Sequence, residues 1–104
     1  MPAYVIAYLD VIDPSALEEY RRAVVPTFAR FGGKPLAVDW HCEVLDGLVH
    51  PRVVVIVVFE SLEHARNWHE SAEHRQTIPL RQRAAHASVV LANGIPAPAP
   101  SHRA

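Results

Sequence analysis

Three things are scarce in this chain of 104 residues, and each scarcity removes a class of explanation. Cysteine occurs once, at Cys42, so no disulfide forms within one chain and a thiolate zinc site cannot be assembled from it. Charge of one sign is not in excess: ten Lys and Arg stand against eleven Asp and Glu, for a net charge of −1. A nucleic-acid partner, which is held largely by neutralising phosphates, is therefore not expected. Long apolar runs are missing as well. The longest, VVVIVVF at 53–59, falls far short of the ~20 residues that span a bilayer. MPAYVIAYLD, at the start, lacks the charged flank and cleavage site of a signal peptide, so the expectation is a cytoplasmic protein without membrane contact. No internal repeat and no nucleotide, flavin or thiol motif is evident, and no cofactor is expected.

What is present is a compact composition, with 50% hydrophobic and 20% charged residues. That suits one domain with one core, placed at residues 1–94. The remaining segment, 95–104, reads IPAPAPSHRA; it offers little to bury and is expected to be extended or disordered.

AYVIAYL at 3–9 is rich in β-branched and aromatic residues and reads as a strand. Asp13 then offers a side-chain cap to a helix in which Pro14 takes the first position, where its missing N–H costs nothing. From there Leu17, Tyr20, Val24, Thr27, Phe28 and Phe31 recur at helical spacing, while Glu18, Glu19, Arg21, Arg22 and Arg30 mark the wet side. Pro26 should bend or interrupt this helix, and Gly32 and Gly33 should end it, giving bounds of 14–31. Residues 34–45 read as a second strand and 52–59 as a third, joined by a turn that contains Asp46 and Gly47. Ser61 caps another helix carrying Leu62, Ala65 and Trp68 on one side. A further helical piece is expected over 71–85, with Pro79 a candidate break, before a last strand at 87–92.

The order β, α, β, β, α, β predicts an α+β fold, a ferredoxin-like βαββαβ sandwich: a four-stranded antiparallel sheet with its helices on one face. The third strand is apolar on both sides, yet so short a chain has helices for only one. Two sheets meeting face to face would cover the other, which predicts a homodimer built as a dimeric α/β barrel.

Seven short stretches come in an order that resembles a known family: YVIAYLD at 4–10, DPSALEEYR at 13–21, FGG at 31–33, VLDG at 44–47, VVIVVFES at 54–61, ARNWHES at 65–71 and VLANG at 90–94. Together they are similar to the small proteins grouped as domain of unknown function 1330, within the dimeric α/β-barrel superfamily. The resemblance covers residues 3–94 and implies a ferredoxin-like protomer and a homodimer. It implies no reaction, although the wider superfamily includes cofactor-independent monooxygenases, lactone isomerases and haem-dependent enzymes. The chain departs from the family pattern at His74, where Tyr is usual, and at Val58, where an acidic residue is common.

Candidate chemistry concentrates at ARNWHESAEHRQTIPLR, residues 65–81. On one continuous helix Trp68, Ser71, His74, Ile78 and Arg81 would share a face. That face suits a pocket rim: Trp68 as an apolar wall, Ser71 and His74 as hydrogen-bonding groups, and Arg81 as a clamp for a carboxylate or enolate oxygen. The plainer alternative has Trp68 packed on the sheet, Ser71 capping the next turn, His74 in solvent and Arg81 paired with a surface acid. On the second strand Asp39, His41 and Glu43 share one face, where a histidine beside a carboxylate could move protons near neutral pH; cross-strand polar pairs are the alternative. The opposite set, Leu36, Val38, Trp40, Cys42 and Val44, should lie under the helices, which makes Cys42 a small buried hydrophobe rather than a nucleophile. Tyr20 sits on the buried helical stripe with a hydroxyl that needs a partner and could face a pocket.

Seven histidines raise the question of a metal, but His64, His69 and His74 are five apart, a spacing that does not stack ligands on one helical face. No metal site is expected, and His50 and His102 are expected at the surface. The functional expectation is a small-molecule-binding dimer. Either it is a cofactor-independent enzyme using His74, Arg81 and His41 for proton transfer, isomerisation or oxygenation, with Trp68, Ser71, Tyr20 and Glu43 holding the substrate, or it is a non-catalytic binding or regulatory module.

Overall fold

A computed structural model describes residues 1–47 and 53–96. The elements are β1 (Ala3–Val11), α1 (Pro14–Arg30), β2 (Lys34–Asp39), β3 (Val53–Phe59), α2 (Leu62–Glu70), α3 (Ala72–Arg75), α4 (Ile78–Ala84) and β4 (Ala85–Asn93). The strands form one antiparallel sheet in the order β2-β3-β1-β4, with the helices on one face. This is the ferredoxin-like sandwich that the element order predicts. Among the described residues no helix is long and apolar enough to cross a membrane. His50, His102 and most of the 95–104 segment lie outside the described residues.

Local chemistry sets the helix ends. Asp13 Oδ1 accepts from the backbone N–H of Ser15 at 3.0 Å and of Ala16 at 3.3 Å, a cap of the kind that contributes about 1 kcal/mol. Pro26 removes one intrahelical bond but does not end α1, because Val24, Thr27 and Phe28 on either side of it are buried and hold that turn against the sheet. The helix ends instead at the glycine pair. Gly32, at φ +78°, donates to Ala29 O and Gly33 donates to Phe28 O at 2.8 Å, the crossed pair of bonds that closes a helix through a left-handed residue. Gly33 has a second reason to be glycine, since a Cβ there would lie 2.7 Å from the ring of Phe59.

Pairing in register gives the sheet two faces. Val5, Leu9, Val53, Val57 and Phe59 point under the helices and are buried. The opposite face carries Tyr4, Ile6, Val54, Ile56 and Val58, all half-buried, with Tyr8 37% and Val90 47% exposed. The apolarity of β3 on both sides is thus real, and this chain's helices cover one side only.

Two expected bounds change. The second strand stops at Asp39, not at 45: β2 pairs with β3 only as far as Asp39↔Val54, and a one-residue irregularity between Pro35 and Ala37 interrupts the alternation. Leu36 is accordingly 58% exposed and Val44 39%, so the set expected under the helices is not wholly there. The stretch 71–85 is not one helix. Ser71 is extended at φ −69° and ψ 154°, ending α2 and opening α3, while Pro79 falls in the first turn of α4.

Candidate small-molecule cavity

Between the sheet and the helices one end of the layer is packed solid. Trp68 is its centre, with ring centroids 5.4 Å from Phe28 and 5.6 Å from Phe59. Its indole N–H donates to Thr27 Oγ1 at 2.9 Å, and that hydroxyl donates to Val24 O at 2.6 Å. The single polar atom of the indole is thereby satisfied inside an apolar cluster.

His74 belongs to this packed end. It is fully buried, its ring centroid 4.2 Å from that of Trp68, and its Nδ1–H donates to the carbonyl of His69 at 2.9 Å. That bond fixes the neutral tautomer and leaves Nε2 as a buried lone pair with no hydrogen-bond partner. Burial holds the imidazole pKa below its ordinary value; the His69 carbonyl raises it in part, and the nearby charges of His69 and Arg81 lower it further. Ser71 is a cap here. Its Oγ accepts from the backbone N–H of His74 at 3.1 Å and donates to Trp68 O at 2.7 Å. Neither Ser71 nor His74 lines any of the cavities described.

Beyond it Leu9, Ala16, Leu17, Val53, Ala84 and Ala85 form a second buried cluster, and the space lined by residues of both clusters is hollow. A cavity of about 320 Å³ lies there, at the lower end of the range for ligand sites. Val5, Ala7, Leu9, Val55 and Val57 of the sheet form its floor, and Leu17, Val24 and Phe28 of α1 its roof. Trp68 closes it toward the packed end, and Val38 of β2 and Trp40 just past the strand stand at its open side. Into these apolar walls project Tyr20 from α1 and Arg81 from α4, with Arg21 at the rim.

Burial raises the Tyr20 pKa, and the Arg81 guanidinium beside it works against that rise through its charge and hydrogen bonding. At neutral pH Tyr20 is therefore an intact phenol next to a cation. Arg21 spends its charge on Glu18, with which it makes two hydrogen bonds. No carboxylate lies within ion-pairing distance of Arg81 among the described residues.

The structure thus brings together three of the residues singled out from the sequence, Tyr20, Trp68 and Arg81, although α2, α3 and α4 are separate helices. It does not bring His41 or Glu43 to them. Both are exposed beyond the end of β2, where the backbone N–H of His41 donates to Asp39 Oδ1 at 2.9 Å. Trp40 and Val38 are cavity residues that sequence reasoning treated as ordinary core. Their alternation marked the correct face of β2, but not that the space beneath is empty. Among the described residues no group of three or more His, Cys, Asp or Glu is placed to hold a metal.

A family model for a domain of unknown function, DUF1330, matches residues 2–95. The chain belongs to the DUF1330 family. No curated protein matches it. Among solved structures, a protein of unknown function from Rhodopseudomonas palustris is similar at a TM-score of 0.74 and 19% identity, over 92% of this chain and 84% of that one. SnoaB, a cofactor-independent oxygenase from Streptomyces nogalater, is similar at 0.70 and 13% identity, over 92% and 95% of the two chains. A dimeric protein of unknown function with a ferredoxin-like fold from Bacteroides fragilis is similar at 0.54 and 6% identity, over 89% and 96%. At these identities the likeness is one of fold, which this DUF1330 chain shares with an oxygenase and with proteins of no known activity alike.

Proposed function

We propose that this DUF1330 protein is a homodimer that binds a small organic molecule in the cavity between sheet and helices, and that Arg81 and Tyr20 hold an oxygen atom of that molecule. The observation that carries the reading is the convergence of one guanidinium and one phenol inside otherwise apolar walls, the pattern by which ligand sites fix orientation with few polar groups. Dimerisation is supported by the bare apolar face of the sheet and by the dimeric relative from Bacteroides fragilis. It is tested by light scattering at micromolar concentration, where a species of twice the chain mass is expected and a monomer counts against the assembly.

The chemistry such a site supports is stabilisation of a developing enolate or phenolate by a guanidinium and a phenol held away from bulk water. That suits proton transfer, isomerisation or cofactor-independent oxygenation, the last being the activity of the similar Streptomyces protein. One observation favours the second reading, a carrier or regulatory module: among the described residues the cavity lining contains no histidine or carboxylate to serve as a base, and His74, which Trp68 separates from it, is sealed in the core. Screening small phenols and carboxylates by tryptophan fluorescence tests the site shared by both readings, because the chain's two tryptophans both line it. Saturable quenching that Arg81→Ala weakens is expected; quenching unchanged by that substitution, or no binding at all, counts against it.

A further inference from the structure

Arg81 differs from the other arginines of the described residues in its burial. Each of the others among the described residues is exposed, and Arg81 is half-buried. Several of the exposed ones also have acids: Arg21 and Arg22 with Glu18, Arg30 with Glu73 at 3.3 Å and Arg83 with Glu19 at 3.9 Å. Arg81 is withdrawn from water into a cavity wall with no carboxylate beside it. The residues outside the description, LVHPR at 48–52 and APAPSHRA at 97–104, contain no Asp or Glu side chain that could supply one. A cation moved away from water without a counter-charge is costly, and the cost falls when an anion enters with it.

Resting on the binding reading above, we infer that the ligand of this cavity is an organic monoanion, a carboxylate or a stabilised enolate or phenolate, whose charged oxygen sits between Arg81 and the Tyr20 hydroxyl and whose apolar body fills the valine-lined space. The stoichiometry of charge sets the number. One uncompensated guanidinium faces the cavity, while Arg21 at its rim is engaged by Glu18, so a dianion such as a phosphate monoester would bring one charge too many into an apolar chamber. Tyr20 adds direction. Its oxygen can accept from the guanidinium and still direct its proton at the ligand, so two donors of different kind meet one anionic oxygen. The short reach between sheet and helices leaves the rest of the ligand against Val38, Val55 and the two tryptophans, where a second polar group would find no partner.

The test is isothermal titration of the intact protein at neutral pH with three probes that share one ring system: naphthoate, naphthamide and naphthyl phosphate. The expected order is naphthoate tightest, with the neutral amide and the phosphate each weaker by about tenfold or more, in keeping with the strength of charge-assisted bonds. Arg81→Gln should erase the preference for naphthoate while weakening the amide far less, and Arg81→Lys should retain most of that preference. Tyr20→Phe should weaken naphthoate about threefold to tenfold and the amide less. Circular dichroism of each variant separates lost folding from lost charge, and the lysine variant keeps the comparison open if the glutamine one does not fold. Amide binding as tight as naphthoate overturns the charge assignment and leaves the cavity reading standing. A preference that survives in Arg81→Gln does the same. Binding of none of the three overturns both.

Discussion

The same sheet and the same first helix enclose two ends of very different character. At one end Phe28, Phe59, Trp68 and His74 fill the layer, and nearly every polar atom has a partner. Toward the other, between this cluster and the smaller one around Leu9, Leu17 and Val53, Tyr20, Arg81, Val38 and Trp40 face a space that no side chain of the described residues occupies. Composition does not explain the difference, since both ends are rich in valine and aromatic residues. The helices do: α2 sets its largest side chain, Trp68, directly on the sheet, whereas the chain then breaks at Ser71 and again at Thr77, and α4 contacts α1 more than the strands beneath the hollow. A packed end gives stability, and an end left open by such breaks gives a place to bind.

Substitutions in the packed cluster and in the cavity floor should differ in what they cost. The largest effect is expected from Trp68→Ala, which deletes the centre of the packed cluster, strands the Thr27 hydroxyl and joins the cavity to the core. Large-to-small changes of this type cost about 3–5 kcal/mol, readable as a lower midpoint in urea with little change in slope. Ala7→Leu acts at the hollow end. Ala7 lies on the cavity floor, so the added atoms should fill space and leave stability within about 1 kcal/mol of the parent, while binding of small carboxylates disappears. If Ala7→Leu destabilises as strongly as a core overpacking mutation, the cavity is not hollow in solution and the contrast between the two ends fails.

The smallest effect is a slope. Burial depresses the His74 pKa, so the unfolded chain takes up a proton near the ordinary histidine value of about 6.5 while the folded protein does not. His74 therefore leaves stability undiminished above that value and withdraws it as the pH falls from there toward the lower folded pKa. His74→Phe keeps a ring against Trp68, gives up the bond to the His69 carbonyl and removes the unpartnered Nε2. Net stability at neutral pH should change by about 1 kcal/mol or less, and the decline of stability between neutral and mildly acidic pH should become shallower. An unchanged slope would place the responsible group elsewhere.

Much of this was legible in residue order, and the exceptions have physical causes. Asp13 with Pro14, Ser61 and the Gly32–Gly33 pair announce helix ends because a cap is a local matter, decided by residues within one turn. The extent of β2 is not local. Alternation through Val44 reads as strand, but a strand lasts only while a partner accompanies it, and pairing with β3 stops at Asp39. Ser71 fits a cap and a pocket-rim residue equally well on paper, and only the extended backbone at that position decides for the cap. Histidine is seldom buried unpaired, which on sequence alone puts His74 at a pocket rim or in solvent. Neither reading foresaw that the break at Ser71 would turn it inward against Trp68. Arg81 and Tyr20 were legible as separate candidates, not as neighbours, since they lie 61 positions apart in sequence and meet only through the packing of α4 on α1.

The claim on which the rest depends is that the hollow end is a site for an anion-bearing ligand and not a packing defect. A crystal structure of the protein soaked with naphthoate addresses it most directly. The expected result is density for the ring in the cavity beside Trp40 and Trp68, with the carboxylate within hydrogen-bonding distance of Arg81 and the Tyr20 hydroxyl. A structure in which the protein's own side chains have closed the space, or in which the carboxylate turns away from Arg81 toward solvent, would contradict it.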